Sequence, residues 1–372
     1  MKKKILILFI IVAIVAIVLV IGELFEEGGK PEAGQKEEQK ELTTTTRLSW
    51  LLFPLKKVSQ APWVLYSRSL LPTLKSNPNL LDGILNDPSV IKVEKLYTMY
   101  YGGVKGDFSD TNTVRIFRVT SKDGITWNRN SVPVLTPGPS SSWDSVKVET
   151  PSVLVGPDGT YLMYYSGSNI PDSEAGFQIG LATSRDGVTW EKHSSNPVIK
   201  LGSGGAFDKF SLLGPTVVYK GGEYWMWYGG ISEKLEVATG LAKSKDGIRW
   251  ERKGVVMSLD VERENANDVG ISENFVLWNG NKFEMFYTIL LDAGKIVAPI
   301  WHATSKDGVN WVKEKKPVMD RATAGQWTNE ALGAPSVLLD GNKYRMWFTG
   351  THTDSKSFFE NGIGLMEKER KP

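Results

Sequence analysis

The chain has 372 residues, 23% of them charged and 41% hydrophobic, which are ordinary values for a globular protein. It contains no cysteine, which excludes a disulfide framework, a thiolate metal site and a cysteine nucleophile. The formal net charge is +2; three cations lie in the first 21 residues, so the remainder carries 2 − 3 = −1, and a near-neutral body without a basic stripe argues against nucleic acid as the partner.

Lys2-Lys3-Lys4 precedes residues 5–21, a run of 17 apolar residues without a charge. A helix over that run would be about 26 Å long, near the lower limit for crossing a bilayer. Gly22-Glu23-Leu24-Phe25 follows instead of a small-residue cleavage pattern. Residues 1–22 are therefore expected to be an uncleaved transmembrane signal-anchor, with a cleaved signal peptide as the rival reading. The lysines would stay cytoplasmic and the body would lie on the extracytoplasmic side, joined to the membrane by that helix. Residues 23–47, rich in Glu, Lys, Gln and Gly, read as a flexible tether, and 48–372 as the folded body.

In the body one phrase recurs: TSKDGITW (120–127), TSRDGVTW (183–190), KSKDGIRW (243–250) and TSKDGVNW (304–311). The spacings between Trp127, Trp190, Trp250 and Trp311 are 63, 60 and 61 residues, a period that marks a repeat architecture. The second unit shows the pattern. Pro151-Ser152-Val153-Leu154-Val155 is an apolar strand, Pro157-Asp158-Gly159 a turn, and Tyr161-Leu162-Met163-Tyr164-Tyr165 a second strand. Residues 178–183 form a third strand, Asp186-Gly187 a hairpin turn, and Trp190 opens a fourth. Four antiparallel strands per unit describe a propeller blade. The second-strand signature occurs at 97–101, 161–165, 224–228, 283–287 and 344–348, so the expected fold is all-β, a five-bladed β-propeller. The last unit stops after its third strand. The segment Trp63-Val64-Leu65-Tyr66-Ser67-Arg68, which looks like the Trp-led fourth strands, is expected to close it.

Features common to the blades build blades. The Ser-x-Asp-Gly-x-x-Trp phrase belongs to that class: its Ser and Asp can bond turn backbone and its Trp can pack on a neighbouring sheet. Trp143-Asp144 and Phe207-Asp208, each with its Asp seven residues before Pro151 or Pro215, and Leu81-Asp82, six before Pro88, read as loop braces. The first strand differs between blades. The residue before its Pro, or before Asn274 in blade four, is Asp87, Thr150, Gly214, Glu273 and Ala334 in turn. One position earlier stand Asn86, Glu149, Leu213, Ser272 and Gly333. Asp87, Glu149 and Glu273 are therefore expected at one rim of the central funnel, and are the catalytic candidates. Carboxylates crowded there must be paired, bind a cation or hold a proton, and a raised pKa on one divides acid from base. Candidates for touching a substrate are Asp268 and Glu330 ahead of two first strands, His302 in a third strand and His352 after a second strand. Trp143, Trp327 and Phe359 are candidate stacking faces for a sugar. The oxygen-rich rim also suits a divalent cation.

With Asn86-Asp87-Pro88-Ser89-Val90-Ile91 and Tyr97-Thr98-Met99-Tyr100-Tyr101 in view, residues 60–366 resemble the five-bladed propeller glycosidases: glycoside hydrolase family 43 and the related invertase and levansucrase families. The resemblance implies Asp87 as general base or nucleophile. Where family 43 carries a second Asp before Pro, this chain has Thr150 with Glu149 beside it. Where the family carries its acid in Glu-Gly-Pro, it has Leu213-Gly214-Pro215. Together with the expected N-terminal anchor, the expected function is an extracytoplasmic, membrane-anchored glycosidase-like propeller working by carboxylate acid–base catalysis, with Glu273 or Glu149 as acid. A non-catalytic carbohydrate-binding propeller and a surface-interaction propeller are the rivals.

Overall fold

The computed structural model describes residues 63–67, 70, 84–104, 113–129, 132–171, 173, 175–259, 268–291, 299–320, 328, 331–353 and 359–370. The expected signal-anchor (1–22) and tether (23–47) lie outside them. Among the described residues no helix is long and apolar enough to cross a membrane.

Blade one is β2 (Ile84–Val93), β3 (Leu96–Val104), β4 (Arg115–Ser121) and β5 (Pro133–Leu135), and blade two is β6 (Lys147–Val155), β7 (Tyr161–Ser168), β8 (Gln178–Ser184) and β9 (Glu191–Lys192). Blade three is β10 (Ser211–Lys220), β11 (Glu223–Ile231), β12 (Val237–Ser244) and β13 (Glu251–Met257), and blade four is β14 (Asp268–Trp278), β15 (Phe283–Leu291), β16 (Ile300–Ser305) and β17 (Val312–Lys313). A parallel pairing of Val237 with Gly270 joins these two sheets at one point. Blade five is β18 (Ala331–Asp340), β19 (Lys343–Thr353), β20 (Phe359–Glu369) and β1 (Val64–Ser67), which pairs antiparallel with β20. The early strand thus completes the last blade. The inner strands β2, β6, β10, β14 and β18 each touch the next, and β18 touches β2, so the ring is closed. First strands run from the funnel rim to the opposite, lower face, and third strands end at that lower face in the Asp-Gly turns.

Every blade is sandwiched between two others, which explains second strands that are apolar on both faces. Met99, Met163, Met226, Met285 and Met346 fill one side of the seams, and Tyr100, Tyr164, Trp227, Phe286 and Trp347 the other; all are buried. The Asp-Gly turns close these seams. In the first, Asp123 Oδ1 accepts from the N–H groups of Ile125 and Thr126 at 2.8 Å each, and Ser121 Oγ accepts from that of Gly124 at 2.7 Å. Those backbone donors hold the carboxyls of Asp123 and Asp186 down to about 2. The turn carbonyl then accepts from the preceding blade: Tyr100 Oη to Gly187 at 2.7 Å, Tyr164 Oη to Gly247 at 2.8 Å, Trp227 Nε1 to Gly308 at 3.0 Å and Trp347 Nε1 to Gly124 at 3.1 Å. The repeat tryptophans pack edge-on to the same rings, Trp190 on Tyr100 and Trp250 on Tyr164 at 5.5 Å, Trp311 on Trp227 at 6.2 Å and Trp127 on Trp347 at 6.3 Å. Blade five has no Asp-Gly turn after its third strand, and Phe286, the ring that faces it, has no donor. Trp63 stands edge-on to Phe286 at 5.8 Å and 90°, so β1 supplies the fifth tryptophan.

A hydroxyl belt absent from the sequence reading ties the inner strands together. Ser89, Ser152 and Ser336 accept from the N–H groups of Val153, Val217 and Val90 at 3.0, 3.1 and 2.9 Å. Its signal is Pro-Ser-Val or Pro-Thr-Val in four blades; blade four reads Asn274-Phe275-Val276 and breaks the belt. There Thr216 Oγ1 donates to the Asn274 carbonyl at 2.7 Å.

Candidate functional site

Each inner strand carries a β-bulge at the same place, between Asn86 and Ser89, Glu149 and Ser152, Leu213 and Thr216, Ser272 and Phe275, and Gly333 and Ser336. At each bulge one residue adopts a left-handed backbone: Asp87 (φ 54°), Thr150 (48°), Gly214 (55°), Glu273 (47°) and Ala334 (47°). Glycine suits that conformation, while an L side chain there costs about 1–2 kcal/mol. Four of five blades accept that strain at the mouth of the funnel, and a bulge re-aims the side chain it carries.

These side chains meet the residue that follows each second-strand signature. In blade two Thr150 Oγ1 bonds Ser166 Oγ at 2.6 Å. In blade four Thr288 Oγ1 donates to Glu273 Oε2 at 3.3 Å. In blade one the position is Gly102, where a Cβ would lie in ordinary contact with Asp87 Oδ2, at 3.8 Å. Asp87 is half-buried, and its N–H donates to Thr349 Oγ1 of blade five at 3.2 Å.

Glu273 is likewise half-buried. Its Oε2 accepts from the Ala334 N–H at 2.8 Å, the bulge amide of blade five. A Cβ at Gly333 would fall 2.2 Å from that oxygen, so only glycine leaves room for the carboxyl. Burial pushes the Glu273 pKa up, while the bonds from Ala334 and Thr288 pull the other way and do not offset it. Oε1 has no hydrogen-bond partner among the described residues. Asn274, where the other blades have Pro, is buried and its side-chain amide has no partner there either. Thr288, Gly333 and the Ala334 amide were not singled out from sequence; the glycine one residue before the bulge was the available signal.

Glu149 does not occupy the bulge itself. It pairs in register with Ser166, one residue earlier, and is buried. Gly333 holds the same position in blade five, and its Cβ direction leads to the bulge carboxyl of blade four.

The remaining candidates fall elsewhere. His302 is buried between Glu284 Oε2, 2.9 Å from its Nε2, and Glu314 Oε1, 2.8 Å from its Nδ1. Glu284 also accepts from Tyr344 Oη at 2.6 Å, and His302 lies over Phe286 at 4.8 Å, so the imidazole braces the seam of blades four and five, with both nitrogens engaged away from the rim. Burial disfavours its charge, but the two carboxylates prevail and raise its pKa. Trp143 stacks on Tyr165 at 5.8 Å and lies over Gly167 and Gly180, where a Cβ would come within 2.8 Å of its ring. Asp144 beside it is buried, bound to Lys192 Nζ at 2.5 Å and Tyr165 Oη at 3.0 Å. Phe207 and Asp208 repeat that brace with Tyr228 and Arg252. Trp143 therefore serves the loop rather than offering a free face. Asp268 lies in β14, His352 in β19 and Phe359 in β20, while Glu330, Trp327 and the Leu81-Asp82 pair lie outside the described residues. No group of three or more His, Asp or Glu among the described residues is arranged to hold a metal ion.

Comparison with known proteins fits this geometry. A 1,2-beta-oligomannan phosphorylase of Thermoanaerobacter sp. (strain X514) is 27% identical over 247 residues, 64% of this chain and 75% of that protein. Among solved structures, Zg3597, a family 117 glycoside hydrolase of the marine bacterium Zobellia galactanivorans, is similar with a TM-score of 0.63 and 18% identity, over 83% of this chain and 91% of that one. A thermostable family-43 glycoside hydrolase is similar at 0.59 and 19%, over 80% and 97%. At such identities the structural likeness is one of fold. The family model for the glycosyl hydrolases family 32 N-terminal domain matches residues 79–273, just over half of the chain, and with its closed ring of five four-stranded blades the chain belongs to that family.

Proposed function

We propose that the protein is a membrane-anchored, extracytoplasmic enzyme that cleaves a glycosidic bond at the funnel rim. Asp87 is the base or nucleophile, Glu273 the acid, and Glu149 the buried carboxyl that tunes Asp87. The observation that carries this reading is the unequal setting of two carboxyls at equivalent strained bulges. Both are half-buried, Asp87 beside Gly102 and Glu273 with its pKa raised by burial and its Oε1 left unbonded by described residues. Two carboxyls in unlike environments are what a split between acid and base requires.

Thr150 bonded to Ser166 and the bare Gly214 leave two rim positions without a carboxyl, which favours a second reading, a carbohydrate-binding propeller without turnover. The test is a panel of aryl-glycosides and oligosaccharides, mannosides included, assayed with water and with inorganic phosphate as acceptor, because one relative is a phosphorylase. Turnover lowered about 10²–10⁴-fold by Asp87→Asn supports the catalytic reading. Full turnover in that variant overturns the assignment, and binding without turnover on every substrate supports the second reading.

A further inference from the structure

We propose that the lower face of the propeller, opposite the funnel, rests on an anionic lipid surface; this deepens the membrane-anchored reading above and depends on it. The chain joins the propeller at that face. Val64 pairs with Glu367, close to the end of β20, so β1 begins at that face, and the apolar run 5–21 precedes it in sequence.

The Asp-Gly turns present the same chemistry four times on that face. Each carries a cation before its Asp, namely Lys122, Arg185, Lys245 and Lys306, and an aliphatic residue after its Gly. Each Asp, though exposed, is engaged by two backbone N–H groups of its own turn. The aliphatic tips Val188 and Val309 are 47% and 41% exposed, an apolar outlay that nothing in the turn requires. Blade three adds a third observation. Lys245, Arg249 and Lys253 pair with Glu223, Asp246 and Glu251, but Lys220 and Lys243 have no carboxylate partner among the described residues. Their ammonium groups stand over tryptophan rings instead, Lys220 4.4 Å from the centre of Trp278 and Lys243 3.1 Å from that of Trp225. Lysine and tryptophan side by side are the residues that settle at the headgroup level, and uncompensated cations attract anionic headgroups. The funnel would then open away from the membrane, toward glycans in the surroundings.

Because the chain has no cysteine, Val188→Cys, Val309→Cys and Asn169→Cys each create one labelling site in the full-length protein, the last exposed on the funnel side. Fluorescently labelled protein is placed in phosphatidylcholine vesicles with and without phosphatidylglycerol. Quenching by a lipid-attached nitroxide is then compared with quenching by iodide. The expected result is a lipid-to-water ratio several-fold higher at the two valine sites than at Asn169. That excess should fall when phosphatidylglycerol is omitted and in a Lys220→Gln, Lys243→Gln background. Equal ratios at all three sites, in protein that floats with the vesicles, overturn the docking and leave the anchor standing. Full-length protein that fails to float overturns the anchored reading and the docking with it.

Discussion

The lower face and the funnel rim use repetition in opposite ways. On the lower face four turns share one sequence, and each makes the same bonds: Ser to Gly, Asp to two N–H groups, carbonyl to the preceding blade's aromatic donor. At the rim five bulges share one backbone, yet carry Asp87, Thr150, Gly214, Glu273 and Ala334. Where side chains recur, they hold the ring together. Where the backbone recurs and side chains do not, a strained frame presents whichever group chemistry needs. Left-handed glycine is the unstrained choice at both places; the Asp-Gly turns take it every time, and the bulges take it only at Gly214.

Mutations can break or sharpen that contrast. The largest effect on stability is expected at Trp63, the part of the lower-face system that comes from far away in sequence. Trp63→Ala should cost about 3–5 kcal/mol in denaturant unfolding, comparable to Trp190→Ala, if β1 is a full member of the set. A cost near zero would show that blade five closes without it. Next, substitutions at left-handed positions should have opposite signs on the two faces. Gly187→Ala meets both a φ of 69° and Tyr100 Oη at 2.8 Å, and should lose about 1–2 kcal/mol. Ala334→Gly relieves strain and should gain up to about 1 kcal/mol in the same measurement.

The smallest effect is a matter of pH. A carboxyl whose folded pKa is raised above its ordinary value of 4.5 holds a proton that the unfolded chain releases. The Glu273 contribution is therefore fully present below pH 4.5 and declines as pH rises through the folded pKa. Glu273→Gln keeps the bond from Ala334 and removes the titration. Its stability, followed by Tm from pH 4 to pH 8, should fall less than that of the parent protein; parallel curves would place a charged Glu273 at the rim.

The architecture was legible because period and turn chemistry are local. Asp-Gly before Trp, repeated about every 60 residues, fixes a hairpin wherever it occurs. Even the closing strand could be read, since Trp63 followed by a short strand looks like its four counterparts. The bulges were not legible. A left-handed residue is announced by glycine, and only Gly214 is one; Asp87, Thr150, Glu273 and Ala334 take that conformation because the ring demands it. The fate of Glu273 was hidden for a related reason, since the amide that holds it belongs to Ala334, 61 residues away in another sheet. His302 illustrates the converse. A histidine in a third strand invites a chemical role, but Glu284 and Glu314 claim both its nitrogens at the one seam without an Asp-Gly turn.

The pairing of Val64 and Leu65 with Glu367 and Met366 also sets a timetable. During synthesis the first strand of the ring emerges long before its partner exists. Until β20 has been made, β1 has no sheet to join, and the bare ring of Phe286 has no tryptophan to cover it. Contacts so distant in sequence form slowly, and an unfinished edge invites pairing with the wrong chain. Nascent chains halted just short of β20 should therefore be the form most prone to aggregate.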